Sequence, residues 1–262
     1  MSLNLDLTGR VAVVTGGTRG VGAGIARAFL QAGAAVVVCA RRPPDAPIAA
    51  AGRTARFRPV DLREPDDVRE LLQAVAADHG RLDCLVNNAG GTPYRLLGET
   101  TAERHARVVE LNLVAPMTAS LAAYEVMRGQ SDGGSVIMIG SVSGTRPSPG
   151  TAAYGAAKAG LDNLARSMAV EWAPHVRVNT LVLGMVRTEL SALHYGDEDG
   201  IAAVGATVPL GRLAEPAEIG DACVFLASGR AGYVSGASLL VHGGGERPAF
   251  LDAATVNHPK EP

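Results

Sequence analysis

The chain has 262 residues, of which 47% are hydrophobic, so it is long enough to bury a sizeable core. Its formal net charge of −2 at pH 7 argues against a basic surface for nucleic acid or an acidic membrane. The sequence begins without a leader-like segment, has no apolar stretch of membrane-spanning length, and carries three cysteines without metal-ligand spacing. We therefore expect a cytoplasmic protein that binds no metal, no nucleic acid and no membrane.

Short, continuously apolar runs alternate with longer helical patterns. The predicted strands are residues 11–15, 34–40, 55–60, 82–87, 135–140, 176–183 and 237–242. The predicted helices are residues 21–32, 65–79, 101–128, 152–173 and 215–228. Continuous apolar runs are typical of a parallel sheet covered on both faces, and the alternation predicts right-handed crossovers. We predict an α/β fold, a single doubly wound Rossmann-type domain with a seven-stranded parallel sheet, over residues 1–245.

Two segments depart from the alternation. Residues 41–52 contain three prolines where a crossover helix is expected, which predicts a short or distorted helix. Residues 246–262 follow three glycines and are polar and proline-containing. They are predicted to be a C-terminal tail, either a loose end or an arm onto a neighbouring subunit.

The segment TGGTRGVG, residues 15–22, joins the first strand to the first helix. Gly16, Gly20 and Gly22 allow a tight turn and a close approach of the backbone to a pyrophosphate, and the helix N-terminus attracts phosphate. The spacing is Gly-x-x-x-Gly-x-Gly instead of the more common Gly-x-Gly-x-x-Gly. Its position on the first βα unit favours dinucleotide binding over a plain glycine-rich turn.

In their order and spacing, the motifs resemble those of the short-chain dehydrogenase/reductase family in its single-domain form, over about residues 7–245. Thr15 and the three glycines match the family's cofactor turn, Asp61 and Leu62 its adenine-contacting position, and Asn87–Gly90 its fourth-strand motif. The cofactor contacts implied by this resemblance are Gly16, Thr18, Arg19, Gly20, Val21, Gly22, Arg41, Asp61, Leu62, Asn88, Ala89, Gly90, Tyr154, Lys158, Gly184, Val186 and Thr188.

The resemblance also implies a catalytic set. Tyr154 and Lys158 match the family's acid/base tyrosine and its lysine, and Ser141 matches the serine that holds the substrate oxygen. Ser143 misses the family spacing. Asn112 matches the residue that holds a water in the proton relay beyond the lysine. The implied chemistry is hydride transfer between a nicotinamide and a carbonyl carbon, coupled to proton transfer at the oxygen.

Lysine is rare in this chain, since only Lys158 and Lys260 are lysines among 24 basic residues. Tyrosine has a reference pKa of about 10, so it is a poor acid or base at neutral pH. An ammonium one helical turn away, together with the positive charge of the oxidised nicotinamide, is expected to lower that pKa, and the compact shape of the ammonium suits a second contact to the nicotinamide ribose.

The end of the second strand bears on the choice of cofactor. A preference for NAD(H) calls for an acidic residue there, but Ala40 occupies the position, followed by Arg41 and Arg42. Arg19 lies in the glycine turn. One charge-assisted hydrogen bond to a 2′-phosphate contributes about 1.5–3 kcal/mol. We predict NADP(H) rather than NAD(H), with Arg41 and Arg19 as the main contacts; the alternative is that these arginines are solvated.

Two positions depart from the family pattern. Leu183-Gly184 stands where the family has Pro-Gly, which is expected to loosen the nicotinamide pocket. His242-Gly243-Gly244 stands where it has Asp-Gly-Gly, and a structural role is expected for this histidine. Thr188 remains in place.

The substrate is expected to be a small ketone or secondary alcohol. The segments expected to line it are residues 91–97, 142–150 and 189–207. An apolar lid is predicted from Leu190, Leu193, Tyr195 and Val204. Arg146 is interpreted as solvated in preference to a contact for an acidic substrate. A 3-oxoacyl thioester reductase and a dehydrogenase for cyclic or aliphatic alcohols both remain open.

The sequence thus predicts an NADP(H)-dependent oxidoreductase. The alternatives are an NAD-dependent alcohol dehydrogenase of the same family, a non-catalytic dinucleotide-binding sensor or scaffold, and an epimerase or dehydratase. The presence of both Tyr154 and Lys158 disfavours the sensor, and the absence of room for a further substrate domain disfavours the epimerase. A homo-oligomer, tetramer or dimer, is also expected through helices 101–128 and 152–173, whose apolar faces could equally be core.

Overall fold

The computed structural model of the protein describes residues 5–254 and residue 256. The strands are Val11–Thr15 (β1), Ala35–Ala40 (β2), Ala49–Ala50 (β3), Arg53–Thr54 (β4), Arg56–Pro59 (β5), Cys84–Asn87 (β6), Gly134–Ser141 (β7), Val176–Leu183 (β8) and Ser238–Val241 (β9). The α-helices are Gly20–Gln31 (α1), Pro65–His79 (α2), Ala102–Val109 (α3), Ala115–Met127 (α4), Ala152–Glu171 (α5), Ala192–Tyr195 (α6), Glu198–Thr207 (α7), Pro216–Ala227 (α8) and Ala249–Ala253 (α9).

Seven strands form one sheet in the order β5-β2-β1-β6-β7-β8-β9, and every neighbouring pair is parallel. The strand order reverses between β1 and β6, so the crossovers leave a crevice at the carboxyl ends of these strands. The predicted α/β fold with a seven-stranded parallel, Rossmann-type sheet is confirmed. β3 and β4 form a separate antiparallel ribbon.

The strands are apolar on both sides because helices cover both faces of the sheet. α1 and α8 lie on one face, where Phe29 and Ile219 are fully buried. α2, α4 and α5 lie on the other, where Met127 and Leu161 are fully buried. Burying one such side chain contributes about 1.5–3 kcal/mol, so the two apolar layers hold the sheet in place.

Local signals set where two of the helices begin. Pro65 and Pro216 occupy the first positions of α2 and α8, where the missing N–H costs nothing. At α8, Glu215 and Glu218 form a reciprocal capping box. α2 is followed by Gly80 at φ 75°, a left-handed position that ends the helix.

Three predicted elements differ from the structure. Residues 41–52 form no helix, because their prolines fix φ and lack N–H donors; the chain passes through turns to the β3–β4 ribbon. The single helix predicted at 101–128 is divided into α3 and α4 by a π-helical turn, Glu110–Val114. The segment 189–207, predicted as a loop, contains α6 and α7.

Cys39, Cys84 and Cys223 are buried, unpaired thiols, as expected. Within residues 5–254 and residue 256, no helix combines the length and the apolarity needed to cross a bilayer.

Candidate active site

A cleft of about 1170 Å³ lies at the carboxyl ends of the central strands. It collects every residue that the sequence singled out for cofactor contact, together with Ser141. Its lining includes Gly16, Thr18, Arg19, Gly20, Val21, Gly22, Arg41, Asp61, Leu62, Asn88, Ala89, Gly90, Ser141, Tyr154, Lys158, Gly184, Val186 and Thr188. Asn112 is not part of the lining and lies behind it.

The glycine turn, residues 15–22, forms the cradle that is expected to hold the cofactor, and Gly16 and Gly22 in it have no room for a side chain. Gly16 has φ 62°, and a Cβ there would lie 2.9 Å from the Cα of Ala89. A Cβ at Gly22 would collide with the carbonyl oxygen of Gly16. The Thr15 hydroxyl accepts the N–H groups of Asn88 and Ala89 at 3.0 Å each, and Asn88 Nδ2 donates to the Thr15 carbonyl at 2.9 Å. The end of β6 is thereby fastened to the turn, and a glycine turn of this kind before a helix N-terminus suits a dinucleotide pyrophosphate.

The N-terminus of α1 carries a carboxylate in this structure. Glu189 Oε1 accepts a hydrogen bond from the backbone N–H of Gly20 at 2.9 Å. A helix N-terminus bears partial positive charge and favours any nearby anion, whether side chain or phosphate. Glu189 was missed from the sequence, because no motif distinguishes it from a solvated acid beside Thr188.

Three arginines surround the end of β2. Arg19, Arg41 and Arg42 all line the cleft and are exposed, whereas Ala40 offers no carboxylate. In the part of the chain that the structure describes, none of these three arginines forms an ion pair. Their charge is therefore not neutralised by a neighbouring side chain.

Asp61 is already bound by a neighbour that the sequence analysis did not identify. Arg63 donates from Nε to Oδ1 at 3.0 Å and from Nη2 to Oδ2 at 2.6 Å. The hydrogen bonds from Arg63 lower the pKa of Asp61 to about 2, with a smaller contribution from Arg41. Asp61 stays ionised at any physiological pH, and Arg63 adds a further guanidinium to the cleft wall.

Tyr154 and Lys158 lie on α5, where residues i and i+4 share one face. Lys158 is only 4% exposed, and its Nζ lies 5.6 Å from the centroid of the Tyr154 ring. Nζ donates to the carbonyl oxygen of Ile139 on β7 at 2.8 Å. Burial lowers the pKa of Lys158 to about 8, so the amine is mostly protonated at pH 7 but titrates close to it.

The expected lowering of the Tyr154 pKa is wrong for the ligand-free chain. Burial raises the pKa of Tyr154 above its ordinary value, and a hydrogen bond with Ser141 opposes this rise without overcoming it. The prediction considered the charge of Lys158 but neglected desolvation, which disfavours a buried phenolate. Ser141 Oγ is itself held by the N–H of Ser143, at 3.1 Å.

Asn112 is fully buried in the π-helical turn between α3 and α4. Its Oδ1 accepts the N–H of Gly91 at 2.9 Å, and its Nδ2 donates to the carbonyls of Gly91 at 3.0 Å and Val108 at 2.9 Å. Both amide hydrogens are therefore used within the chain. The side chain fixes the backbone that follows Gly90, and single π-turns of this kind are frequent at functional sites.

The two positions that depart from the family pattern, Leu183-Gly184 and His242, lie next to each other in the structure. Leu183 is the last residue of β8, is buried, and pairs in register with Val241. The N–H of Gly184 donates to the carbonyl of Val241 at 3.0 Å. A Cβ at Gly184 would lie 2.8 Å from the Cβ of His242, so the histidine closes over this turn.

The segment after β8 covers part of the cleft. Leu190 and Tyr195 line it, as expected of an apolar lid, and so does His194. Leu193 is 78% exposed, and neither Leu193 nor Val204 lines the cleft, so this part of the lid prediction is wrong. Arg146, interpreted as solvated, forms an ion pair with Glu246.

Comparisons with known proteins agree with this geometry. A family model described as enoyl-(acyl carrier protein) reductase matches residues 16–246. The chain is 37% identical over 243 residues to the 3-oxoacyl-[acyl-carrier-protein] reductase of Vibrio cholerae, with 92% of this chain and 98% of that one covered. It is 38% identical over 253 residues to the L-fucose dehydrogenase of Oryctolagus cuniculus, with 94% and 88% covered.

Solved structures give the same result. A short-chain dehydrogenase/reductase of Serratia marcescens superposes with a TM-score of 0.82 at 31% identity, covering 91% of this chain and 98% of that one. The aldohexose dehydrogenase of Thermoplasma acidophilum superposes with a TM-score of 0.85 at 27% identity, covering 98% of each chain.

Proposed function

The chain belongs to the short-chain dehydrogenase/reductase family, and from that premise we propose that it is an NADP(H)-dependent oxidoreductase that interconverts a ketone and a secondary alcohol, with Tyr154 as acid and base. Membership makes it an oxidoreductase of CH–OH donors with a nicotinamide cofactor. The observation that carries the finer proposal is the convergence of Ser141, Tyr154 and Lys158 on the cleft beside the glycine cradle.

Proton transfer is assigned to Tyr154. In the direction of reduction its phenol donates a proton to the substrate oxygen. The hydroxyl of Ser141, which hydrogen-bonds to Tyr154 in this structure, donates its one hydrogen to that oxygen instead. When bound, the nicotinamide supplies the hydride in reduction and accepts it in oxidation. Lys158 stabilises the tyrosinate that remains, because a protonated amine 5.6 Å from the ring opposes the burial that disfavours phenolate. Asn112 acts as a positioning residue through the backbone of Gly91.

The preference for NADP(H) is supported by the unpaired Arg19, Arg41 and Arg42 and by the lack of a carboxylate at Ala40. A single charge-assisted bond from one guanidinium to the 2′-phosphate corresponds to roughly 10- to 150-fold in affinity. The ion pair between Asp61 and Arg63 reduces the repulsion that Asp61 would otherwise exert on the cofactor. An NAD-dependent dehydrogenase is the alternative, favoured if the arginines remain solvated when cofactor binds.

We propose a 3-oxoacyl ester or thioester as the first substrate class to test. The 3-oxoacyl reductase of Vibrio cholerae is among the similar proteins and covers 92% of this chain. A sugar dehydrogenase is the second candidate, since the L-fucose dehydrogenase of Oryctolagus cuniculus is equally similar. Reduction of ethyl acetoacetate with NADPH, and oxidation of L-fucose with NADP⁺, distinguish the two classes.

The decisive experiment is a fluorescence titration of NADPH and NADH at one salt concentration, on the wild type and on Arg41→Gln. NADPH should bind at least about tenfold more tightly than NADH to the wild type, and Arg41→Gln should reduce this advantage. Equal affinities would contradict the NADP(H) assignment. Binding without turnover of any ketone or alcohol would favour the sensor or scaffold.

We further propose a cytoplasmic homo-oligomer, a tetramer or dimer. Large apolar side chains are exposed on α4, α5 and the edge strand β9, where Leu121, Val170 and Leu240 are 51%, 80% and 54% exposed. Exposed apolar patches are typical of association surfaces, and reduced, buried thiols fit a reducing compartment. A molar mass in solution near 26.8 kDa, the mass of one chain, would contradict the oligomer.

A further inference from the structure

A second cavity, of about 320 Å³, adjoins the cleft, and we call it the side cavity. Pro93, Arg107 and Val108 line both spaces, so the two are neighbours across these residues. Ala152 and Ala153 form another wall, immediately before Tyr154 on α5. With a rise of about 1.5 Å per residue, this wall begins within about 3 Å of Tyr154 along the helix axis.

The side cavity is strongly basic. Arg95, Arg104, His105 and Arg107 line it, and Arg104 and Arg107 share one face of α3 at the i,i+3 spacing. Among the residues that the structure describes, none of these three arginines forms an ion pair. The pKa of Glu103 is lowered, mainly by a hydrogen bond with Thr101, and the charge of Arg107 makes the smallest contribution.

Arg95, Arg104 and Arg107 are exposed, and hydrogen bonds fix the backbone that carries Arg95 and the ring of His105. The N–H of Arg95 donates to the carbonyl of Gly150 at 2.8 Å, which joins the two walls of the side cavity. The ring of His105 hydrogen-bonds through Nε2 to the carbonyl of Leu97 at 3.1 Å. Because none of the three guanidiniums has an ion-pair partner in the described chain, all three are available to an anionic ligand.

A neutral group in the wall points to the same conclusion. The hydroxyl oxygen of Thr100, which also lines the side cavity, is buried and has no hydrogen-bond partner in the described chain. Buried polar groups are nearly always paired, and an unpaired one calls for a missing partner. An oxyanion in the side cavity would accept directly from the guanidiniums, and it would reach this hydroxyl only after a small movement of the wall.

We propose that the side cavity binds an oxyanion, a carboxylate or a phosphate, carried by the substrate on the far side of its ketone. The inference rests on the proposed oxidoreductase function, because it places the reacting carbonyl at Tyr154 in the adjoining cleft. Among the ketones and alcohols open to the proposed function, this selects an oxo acid or a phosphorylated ketone over neutral compounds such as ethyl acetoacetate and L-fucose. The specificity-determining residues are Arg95, Arg104 and Arg107.

Matched substrate pairs test this assignment. Levulinate is compared with methyl levulinate, and dihydroxyacetone phosphate with dihydroxyacetone, so the two pairs distinguish carboxylate from phosphate. The variants are the double substitution Arg95→Gln/Arg104→Gln and the control Arg27→Gln, an exposed arginine on α1 that has no ion pair in the described chain. Neither Arg95 nor Arg104 lines the main cleft, so the double variant leaves Tyr154 and the cofactor cradle intact.

For at least one pair, kcat/KM of the wild type should be about tenfold or more higher for the anionic member. The double variant should lose most of this preference while its kcat/KM for the neutral member changes less than about twofold. Arg27→Gln should behave as the wild type. Equal rates for both members of both pairs in the wild type, or an equal loss in Arg27→Gln, would overturn the side cavity as the anion site.

A binding measurement separates this inference from the proposed function. The midpoint of thermal unfolding is followed with added levulinate and, separately, with inorganic phosphate. If no ketone is reduced but either anion raises the midpoint in the wild type and Arg27→Gln and not in the double variant, the side cavity binds anions and the proposed function fails. If neither anion distinguishes the double variant from the control, the side cavity proposal is overturned whatever the enzyme reduces.

Discussion

The two ends of the central sheet use charge in opposite ways. Before β1, β6 and β7, at the amino ends of the strands, Arg10, Arg81, Asp83 and Asp132 form a closed cluster of ion pairs. At the carboxyl ends Arg19, Arg41 and Arg42 have no ion-pair partner in the described chain, and Glu189 binds a helix N-terminus. Charges that are paired within the chain stabilise the fold, whereas charges left unpaired remain available to a ligand.

The amino-end cluster is centred on Asp83, whose side chain is 11% exposed. Its Oδ2 accepts the N–H of Val11 at 2.9 Å, and Arg81 binds both carboxylate oxygens, at 2.6 and 2.8 Å. Burial alone would raise the pKa of Asp83, but the hydrogen bonds from Arg81 and Arg10 outweigh it and hold the pKa below its usual value. This carboxylate therefore joins β1 to β6 as an ion.

Tyr154→Phe should show the largest effect, and it tests whether the carboxyl ends of the strands carry the catalytic chemistry. Removing the phenolic hydroxyl eliminates the proton donor, so kcat/KM should fall about 10²- to 10⁴-fold. The affinity for NADPH and the free energy of unfolding should change little. Steady-state kinetics, a cofactor titration and urea unfolding measure the three quantities. A variant that keeps more than a tenth of the activity would contradict the role of Tyr154.

Asp83→Asn should lower the stability of the fold and leave cofactor binding unchanged. The neutral amide removes the more buried of the two carboxylates that Arg10 and Arg81 share, and Asp132 remains as their exposed counter-ion. The free energy of unfolding should fall by about 2–3 kcal/mol, discounted for the partial exposure of the arginines. The cofactor affinity of the folded fraction should stay within about twofold of the wild type. Asp132→Asn, at the exposed rim of the same cluster, is the matched control and should cost less. A marked change in NADPH affinity would break the comparison between the two ends.

Lys158→Met should reveal the stability cost of the buried amine through its pH dependence. The folded-state pKa of about 8 lies below the ordinary value, so between pH 8 and about 10 the unfolded chain binds more protons and stability rises with pH. The wild type should therefore gain about 2 kcal/mol over that range relative to the variant. Below pH 8 the difference between the two should be constant. Parallel stability profiles from pH 7 to pH 10 would rule out a depressed pKa.

Glu189→Gln should produce the smallest effect. Its carboxylate binds Gly20 N–H at the helix terminus that the cofactor pyrophosphate is proposed to use, so neutralising it should favour the phosphate. A charge at a helix terminus contributes about 0.3–1 kcal/mol, and NADPH should bind about two- to fivefold more tightly. Glu198→Gln is the control, because Glu198 is an exposed carboxylate whose partner is Arg187. Weaker NADPH binding to Glu189→Gln would mean that the carboxylate supports the cradle.

The sequence predicted the parts of the molecule that depend on short-range patterns. The sequence predicted β1 because a continuous apolar run is typical of a buried parallel strand. It predicted the glycine turn because three glycines between a strand and a helix favour a tight turn. The π-helical turn around Asn112 was not predicted, because the apolar period of a long helix does not reveal one wider turn. The prolines in residues 41–52 predicted a disturbed helix, but nothing in the sequence predicted the β3–β4 ribbon that the structure has instead.

Features that depend on three-dimensional neighbours were out of reach. The ion pair between Asp61 and Arg63 and the position of Glu189 at α1 depend on side-chain directions that composition does not encode. The pKa of Tyr154 was predicted in the wrong direction because its burial follows from the packing of α5 against β7. Arg104 and Arg107 lie within a predicted helix, and nothing in the sequence indicates that this part of the helix lines a cavity.

The scarcity of lysine has a practical consequence for chemical labelling. Apart from the chain's α-amino group, the only primary amines in the sequence belong to Lys158 and Lys260, and guanidinium groups do not react with common acylating reagents at mild pH. Lys158, with a pKa of about 8, is a nucleophile under those conditions, although only a small reagent can enter beside it. Locating the adducts by peptide mass separates those at Lys158 from those at Lys260 and the α-amino group, and protection of Lys158 by a dinucleotide would report occupancy without any substrate being known.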